Sequence, residues 1–106
     1  MLINQQLIKA CFRSLTTGVD TGANFTGGAG DDTFVALDQT TGTTLTTGDS
    51  LVGGTGTDTL SIAASTGASG FQISASGVEK VSVVNNSAGL YTVNSSLMTG
   101  LTDVVV

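Results

Sequence analysis

The sequence predicts an all-β chain, a segment of a parallel β-roll or β-solenoid made of short repeated units. Its 106 residues are poor in aromatic (5%) and charged (10%) side chains, and Gly, Thr and Ser alternate with small and branched apolar residues. Such a composition favours strands joined by frequent turns. Two blocks of the chain recur, and apolar pairs return about every ten residues, which is typical of stacked units. A β-sandwich or a meander is the alternative for the same spacing.

Composition also limits the function. A domain of this size buries a modest core, so we expect added stabilisation from a metal or a neighbour. The single Cys11 excludes an internal disulfide, and the positive mean hydropathy of +0.33 argues against disorder. The net charge is −5, and from Ser14 onward Lys80 is the only basic residue beside eight acidic ones. This balance disfavours binding to nucleic acid or anionic lipid and suits a cation.

The N-terminal segment, residues 1–14, differs from the rest. It holds Cys11 and two basic residues, Lys9 and Arg13, and it contains no glycine. It lacks the basic start, apolar run and small-residue cleavage site of a signal peptide, and no stretch of the chain is long and apolar enough to insert into a membrane. We interpret it as a start-site artefact or a fragment of a connecting strand or helix. A repeat region at 15–62 and a region of ten-residue period at 63–106 follow.

The region 15–62 contains two copies of one unit. Residues 15–20 (LTTGVD) return as 45–50 (LTTGDS), and residues 24–34 (NFTGGAGDDTF) return as 50–60 (SLVGGTGTDTL). Repetition within a single chain predicts units that stack on one another and share a continuous core.

The region 63–106 is defined by apolar residues two apart, which point to one face of a strand. Turn residues separate the pairs, so short strands alternate with turns. The last residues, 103–106 (DVVV), predict a strand with a free edge, which would pair with a continuation of the same chain or with another copy. The apolar positions are Leu60/Ile62, Phe71/Ile73, Val81/Val83 and Tyr91/Val93, with Leu101 following.

Two stretches carry the strongest chemical signal. Residues 27–35 (GGAGDDTFV) and 53–61 (GGTGTDTLS) both fit the pattern G-G-x-G-x-D-x-U-x, in which U is a large apolar residue. Glycine adopts backbone angles that let such a turn aim its carbonyls inward, and the aspartate adds a carboxylate, so the turn offers the hard oxygen ligands that calcium prefers. The predicted calcium ligands are Gly27, Gly28, Gly30, Asp32, Asp49, Gly53, Gly54, Gly56 and Asp58.

Asp49 is included because it precedes Asp58 by nine residues, the length of one repeat unit. The first copy has no acid at the equivalent place, where Asp20 or Asn24 are the possible substitutes. Asp32 and Asp58 are 26 residues apart, which is not a multiple of nine, so the two turns are expected to form separate sites and the pairing of turns around an ion stays open. Glu79 and Lys80 are interpreted as a solvated strand surface.

These turns resemble the calcium-binding repeats of the RTX family, and the Thr-rich setting resembles the surface-layer-like proteins of Gram-negative bacteria. The resemblance covers residues 15–106 and is strongest at 24–35 and 45–62. It implies a secreted protein exported by type I secretion, folding triggered by extracellular Ca²⁺, and a structural or adhesive role at the cell surface. The predicted function is therefore a calcium-binding structural module, with spacer repeats of an RTX toxin or secreted enzyme as the alternative.

A remote enzymatic alternative rests on residues 20–23 (DTGA), which resemble the active-site turn of homodimeric retropepsin-like aspartic proteases. Asp20 would supply one carboxylate of the shared pair. The stem before it recurs at 45–48 without that turn, and the chain has no histidine for a histidine-based triad. We predict that the chain is not an enzyme.

Overall fold

The computed structural model describes residues 12–22, 25–38, 43–45, 48–65, 73–86, 93 and 95–106, and these form strands and turns without a helix longer than a single turn. The strands alternate along the chain between two parallel sheets, so the fold is a β-solenoid and the predicted fold class is confirmed. They are β1 (Phe12–Ser14), β2 (Thr26–Gly28), β3 (Thr33–Asp38), β4 (Ser50–Gly54), β5 (Thr59–Ala64), β6 (Ser74–Ser76), β7 (Lys80–Asn85), β8 (Met98–Thr99) and β9 (Asp103–Val105).

One sheet, called sheet A, has the order β1-β3-β5-β7-β9, and the other, sheet B, has the order β2-β4-β6-β8. One strand from each sheet and the two connections between them make one rung of the solenoid. Each rung adds one parallel strand to each sheet, and parallel pairing requires such crossover connections because a tight hairpin joins only antiparallel strands.

The rungs differ in length. Along sheet A, Phe12 pairs with Thr33, which pairs with Thr59, then Lys80, then Asp103, at steps of 21, 26, 21 and 23 residues. Residues at the same level of successive rungs therefore form columns that run along the solenoid axis.

The core lies between the two sheets. Burial alternates along β3, β5 and β7, so every second side chain points inward. Phe34, Leu60 and Val81 form one inward column and each is 0% exposed. Leu51 and Ala75 supply facing residues from sheet B. Because the inward residues of one rung pack on those of the next, no rung has a complete core of its own.

The ten-residue period of the sequence is half a rung. Leu60 and Ile62 lie in sheet A, Ile73 immediately precedes a strand of sheet B, and Val81 and Val83 return to sheet A. Val93 and Leu101 are partly buried against the core, and the remaining members, Phe71 and Tyr91, lie outside the described residues. The ten-residue period therefore marks the alternation of the chain between the two sheets, whereas the repeat from one rung to the next is about twice as long.

The described strands form one continuous stack. β1 belongs to the segment set apart by composition and pairs with β3, and β5 runs across the boundary expected between residues 62 and 63. β9 lies at the edge of sheet A, where Val104 and Val105 are half exposed. Over the part of the chain that is described, no helix has the length and hydropathy to cross a membrane.

Packing between the sheets can be tested with two leucines on neighbouring strands. Leu60 is 0% exposed, whereas Leu37 on β3 is 42% exposed on the outer face. We expect Leu60→Ala to lower the free energy of unfolding by about 2–5 kcal/mol, because it leaves a cavity between the sheets. Leu37→Ala is the control and should change it by about 0.5 kcal/mol or less. Equal losses in urea unfolding would contradict the inward and outward assignment.

Candidate functional site

The two Gly-Gly-x-Gly-x-Asp turns lie on the same side of the solenoid in adjacent rungs. The first joins β2 to β3 and the second joins β4 to β5. Gly28 pairs with Gly54, and the Thr55 amide donates a 2.9 Å hydrogen bond to the Gly28 carbonyl. The expectation that the two turns lie apart was wrong, because the 26-residue offset equals the full length of the rung that carries the second turn. Whether they hold separate ions stays a prediction.

The glycines of these turns have a steric role. Gly28, Gly30, Gly54 and Gly56 have φ values between 90° and 96°, a region that other residues avoid. A Cβ on Gly54 would overlap the Gly28 carbonyl of the rung above, and a Cβ on Gly56 would overlap the Gly30 carbonyl. The turns therefore stack backbone against backbone. This contact explains the pattern of glycines even before an ion is considered.

The aspartate of each turn folds back over its own glycine. A Cβ on Gly27 would overlap Oδ2 of Asp32, and a Cβ on Gly53 would overlap Oδ2 of Asp58. Oδ1 of Asp58 links the two rungs, because it accepts a 2.7 Å hydrogen bond from the Asp32 amide. Asp32 is 1% exposed and Asp58 is 0% exposed. The motif thus brings a buried carboxylate and the turn backbone together at one corner.

Glu79 continues this arrangement into the third rung. The Asp58 amide donates a 2.8 Å hydrogen bond to Oε1 of Glu79, which repeats the link between Asp32 and Asp58. The Glu79 amide in turn donates to the Asp58 carbonyl at 3.1 Å. Glu79 is half-buried, so its interpretation as solvated strand surface was wrong. We call Asp32, Asp58 and Glu79 the acid column.

A repeat in the sequence could have revealed Glu79. Residues 75–83 (ASGVEKVSV) and 98–106 (MTGLTDVVV) align at an offset of 23, and each contains a three-residue turn, 77–79 and 100–102. Gly77 and Gly100 both have positive φ, as the earlier turn glycines do. The acid position of the fourth turn is Thr102, whose amide donates a 2.8 Å hydrogen bond to the Glu79 carbonyl.

Asp49 lies away from the acid column. It precedes β4, whereas Asp58 follows it, and a five-residue strand of about 16 Å separates the two ends. Asp49 stacks instead on Asp20, whose amide donates a 2.8 Å hydrogen bond to Oδ1 of Asp49. Eight of the nine predicted ligands therefore lie at the corner that joins sheet B to sheet A, and Asp49 lies at the opposite end of β4. Asn24 lies outside the described residues.

Asp20 is held within its own rung. Its Oδ2 accepts a 2.8 Å hydrogen bond from the Thr16 amide, and its Oδ1 accepts one from the Thr16 hydroxyl. The side chain is 3% exposed. Both oxygens of the Asp20 side chain thus hold the connection that leads from sheet A to sheet B.

The acid column is electrostatically strained at its centre. Burial raises the pKa of Asp58 to about 6, and the charges of Asp32 and Glu79 add to this rise, whereas the hydrogen bond from the Asp32 amide opposes it. Oδ2 of Asp58 is buried and accepts no hydrogen bond from the described residues. The nearby carboxyl of Asp32 is also an acceptor when ionised, so a proton or a cation between the two groups would satisfy this oxygen.

The residues present fit a calcium ion in the type of ligand they offer. Oδ2 of Asp58 is a hard oxygen without a donor, and it lies against the glycine backbone of its own turn. Among the described residues no three acidic side chains converge as a metal-binding cluster. A bound Ca²⁺ would therefore take carboxylate oxygen from Asp58 and most other ligands from backbone carbonyls or water.

Comparison with known proteins finds no matching family model, no matching curated protein and no matching solved structure.

The stacking of the turns can be tested with two glycines of similar φ. Around Gly28 a Cβ would meet nothing within 4 Å, whereas on Gly54 it would overlap the Gly28 carbonyl. Gly28→Ala should destabilise the protein by about 1–2 kcal/mol, the cost of its left-handed backbone. Gly54→Ala should add about 1–3 kcal/mol from overpacking. Urea unfolding measures both, and equal losses would show that the turns do not stack as described.

The raised pKa of Asp58 predicts a pH-dependent stability in chelator. The folded protein keeps a proton that the unfolded chain has lost between about pH 4 and 6. The stabilising contribution is full below that window and is lost as the pH rises through it, up to about 3 kcal/mol. Unfolding should be measured at several pH values for the wild type and for Asp58→Asn, which cannot titrate. Identical pH profiles would contradict the assignment of the shift to Asp58.

Proposed function

We propose that this chain is a calcium-binding structural module of a secreted bacterial surface protein, either surface-layer-like or an adhesin. The observation that carries the proposal is Oδ2 of Asp58, a buried carboxylate oxygen that accepts no hydrogen bond from the described residues and lies in a stacked glycine turn. A divalent cation at this corner would neutralise charge in the acid column and replace the missing donor.

The neighbouring turn supports the same proposal. The family resemblance implies sites shared between turns that stack on one side of the solenoid, and the turns at 27–32 and 53–58 stack in adjacent rungs. An ion held by two turns would link two rungs that already interact through the core, backbone hydrogen bonds and the hydrogen bond from the Asp32 amide to Asp58. Its binding free energy would therefore add to the stability of the fold.

A surface role agrees with the shape of the fold. A solenoid adds rungs along one axis, and among the described strands β1 and β9 stand at the two edges of sheet A. Such edges would bind strands of the same chain or of another copy, which suits an extended extracellular scaffold. Calcium in the extracellular medium would then couple export to folding, because the ion becomes abundant only outside the cell.

The test is thermal unfolding in CaCl₂ and in chelator. Calcium at about a hundredfold excess over its dissociation constant should stabilise the wild type by about 3 kcal/mol and raise Tm by about 10 °C or more. Asp58→Asn should lose most of this gain, because the amide is a weaker ligand without charge. Asp103→Asn, which removes an exposed acid at the start of β9, is the matched control and should keep the gain. The same Tm for the wild type in calcium and in chelator would refute calcium binding.

A further inference from the structure

Glu79 lies outside the glycine-aspartate pattern and still contacts the centre of the acid column. Its turn, 77–79, has three residues between Ser76 and Lys80, whereas six lie between their partners Val52 and Thr59. The shorter turn lacks the second half of the glycine pattern. Its carboxylate nevertheless accepts a hydrogen bond from the Asp58 amide, as Asp58 does from the Asp32 amide.

The length of the glutamate side chain suits this position. A third turn with fewer residues has less backbone to carry an acid towards the rung above, and Glu has one methylene more than Asp. Two contacts in opposite directions tie Glu79 to Asp58. Oε1 accepts from the Asp58 amide at 2.8 Å, and the Glu79 amide donates to the Asp58 carbonyl at 3.1 Å. Glu79 thus fixes the backbone of the residue whose Oδ2 lacks a donor.

The charge of Glu79 acts on the same residue. It opposes ionisation of Asp58 when no cation is present, and it attracts a cation to that carboxylate. Lys80 follows directly in the chain, but it occupies an outward position of β7, because Val81 and Val83 are the inward residues of that strand. The Lys80 side chain therefore points away from the core and does not neutralise the inward side of the acid column.

From these contacts we infer that Glu79 is a positioning residue that sets the affinity of Asp58 for a divalent cation, through its hydrogen bond to the Asp58 amide and through its charge. This inference rests on the proposed calcium function. It identifies the third rung as part of the site, although the glycine-aspartate pattern ends with the second. The two actions of Glu79 have opposite effects on the calcium-free protein, since the hydrogen bond stabilises it and the charge destabilises it.

Three variants separate these actions. Glu79→Gln keeps a carbonyl acceptor for the Asp58 amide and removes the charge. Glu79→Ala removes both, and Glu79→Asp keeps the charge but shortens the side chain. Asp103→Asn again removes one exposed charge outside the column. For each full-length variant, Tm in chelator reports the calcium-free fold, and titration with CaCl₂ by calorimetry reports the affinity.

Glu79→Gln should raise Tm in chelator above the wild-type value and weaken calcium binding about tenfold, because the number of charged ligands and neighbours tunes calcium affinity. Glu79→Ala should lower Tm in chelator and weaken binding at least as much. Glu79→Asp should have a lower Tm in chelator and a weaker calcium affinity than the wild type. Asp103→Asn should match the wild type in both. A residue with a purely structural role would move stability and affinity in the same direction.

Three results would contradict the inference. Wild-type affinity in both Glu79→Gln and Glu79→Ala would show that Glu79 does not act on the cation, and the calcium function would remain. Absence of calcium binding by the wild type itself would refute the proposed function and this inference together. A lower Tm for Glu79→Gln in chelator would contradict the repulsive role of its charge.

Discussion

The fixed distance between rungs governs the rest of this structure. Parallel strands in a sheet lie about 4.8 Å apart, so every turn must stack on the next at that spacing. At the corner that joins sheet B to sheet A, the spacing leaves no room for a Cβ at Gly54 or Gly56, where the carbonyls of the rung above occupy the position. The same spacing brings the carboxylates of Asp58 and Glu79 within hydrogen-bond distance of an amide in the neighbouring rung. Glycine columns and the acid column are two consequences of one repeat distance.

A stacked acid serves two opposed purposes. Its carboxylate satisfies an amide that the turn leaves unpaired, as Asp58 does for Asp32. Its burial raises the pKa of Asp58 to about 6, and the like charges of the neighbouring rungs, Asp32 and Glu79, add to the rise. Hydrogen bonding alone could be supplied by Asn or Thr without this penalty. The presence of two aspartates and a glutamate in successive rungs therefore favours the proposed role in cation binding, in which the charge itself is used.

The sequence was sufficient for the fold class because alternation and turn spacing are local signals. Leu60 and Ile62, or Val81 and Val83, reveal the inward face of a strand without knowledge of the partner strand. The vertical register was harder to predict, because the rungs vary from 21 to 26 residues and no fixed period identifies stacked residues. Asp49 was grouped with Asp58 from a nine-residue spacing that in fact spans β4. Glu79 was missed because its shorter turn lacks the second half of the glycine pattern, although the offset of 23 between residues 75–83 and 98–106 carries the signal.

The lower end of the acid column shows how the balance between hydrogen bonding and charge is set. In the fourth rung Thr102 occupies the acid position, and its amide and hydroxyl both donate to the Glu79 carbonyl, at 2.8 and 3.1 Å. The backbone contact between rungs thus persists without a further carboxylate. A fourth acid at this position would repel Glu79 and would have no buried, donor-free oxygen like that of Asp58 beside it. A neutral residue makes the same stacking contact without this repulsion. Charge is concentrated in the three rungs that contain or adjoin the two full glycine turns, which is where a cation would offset it.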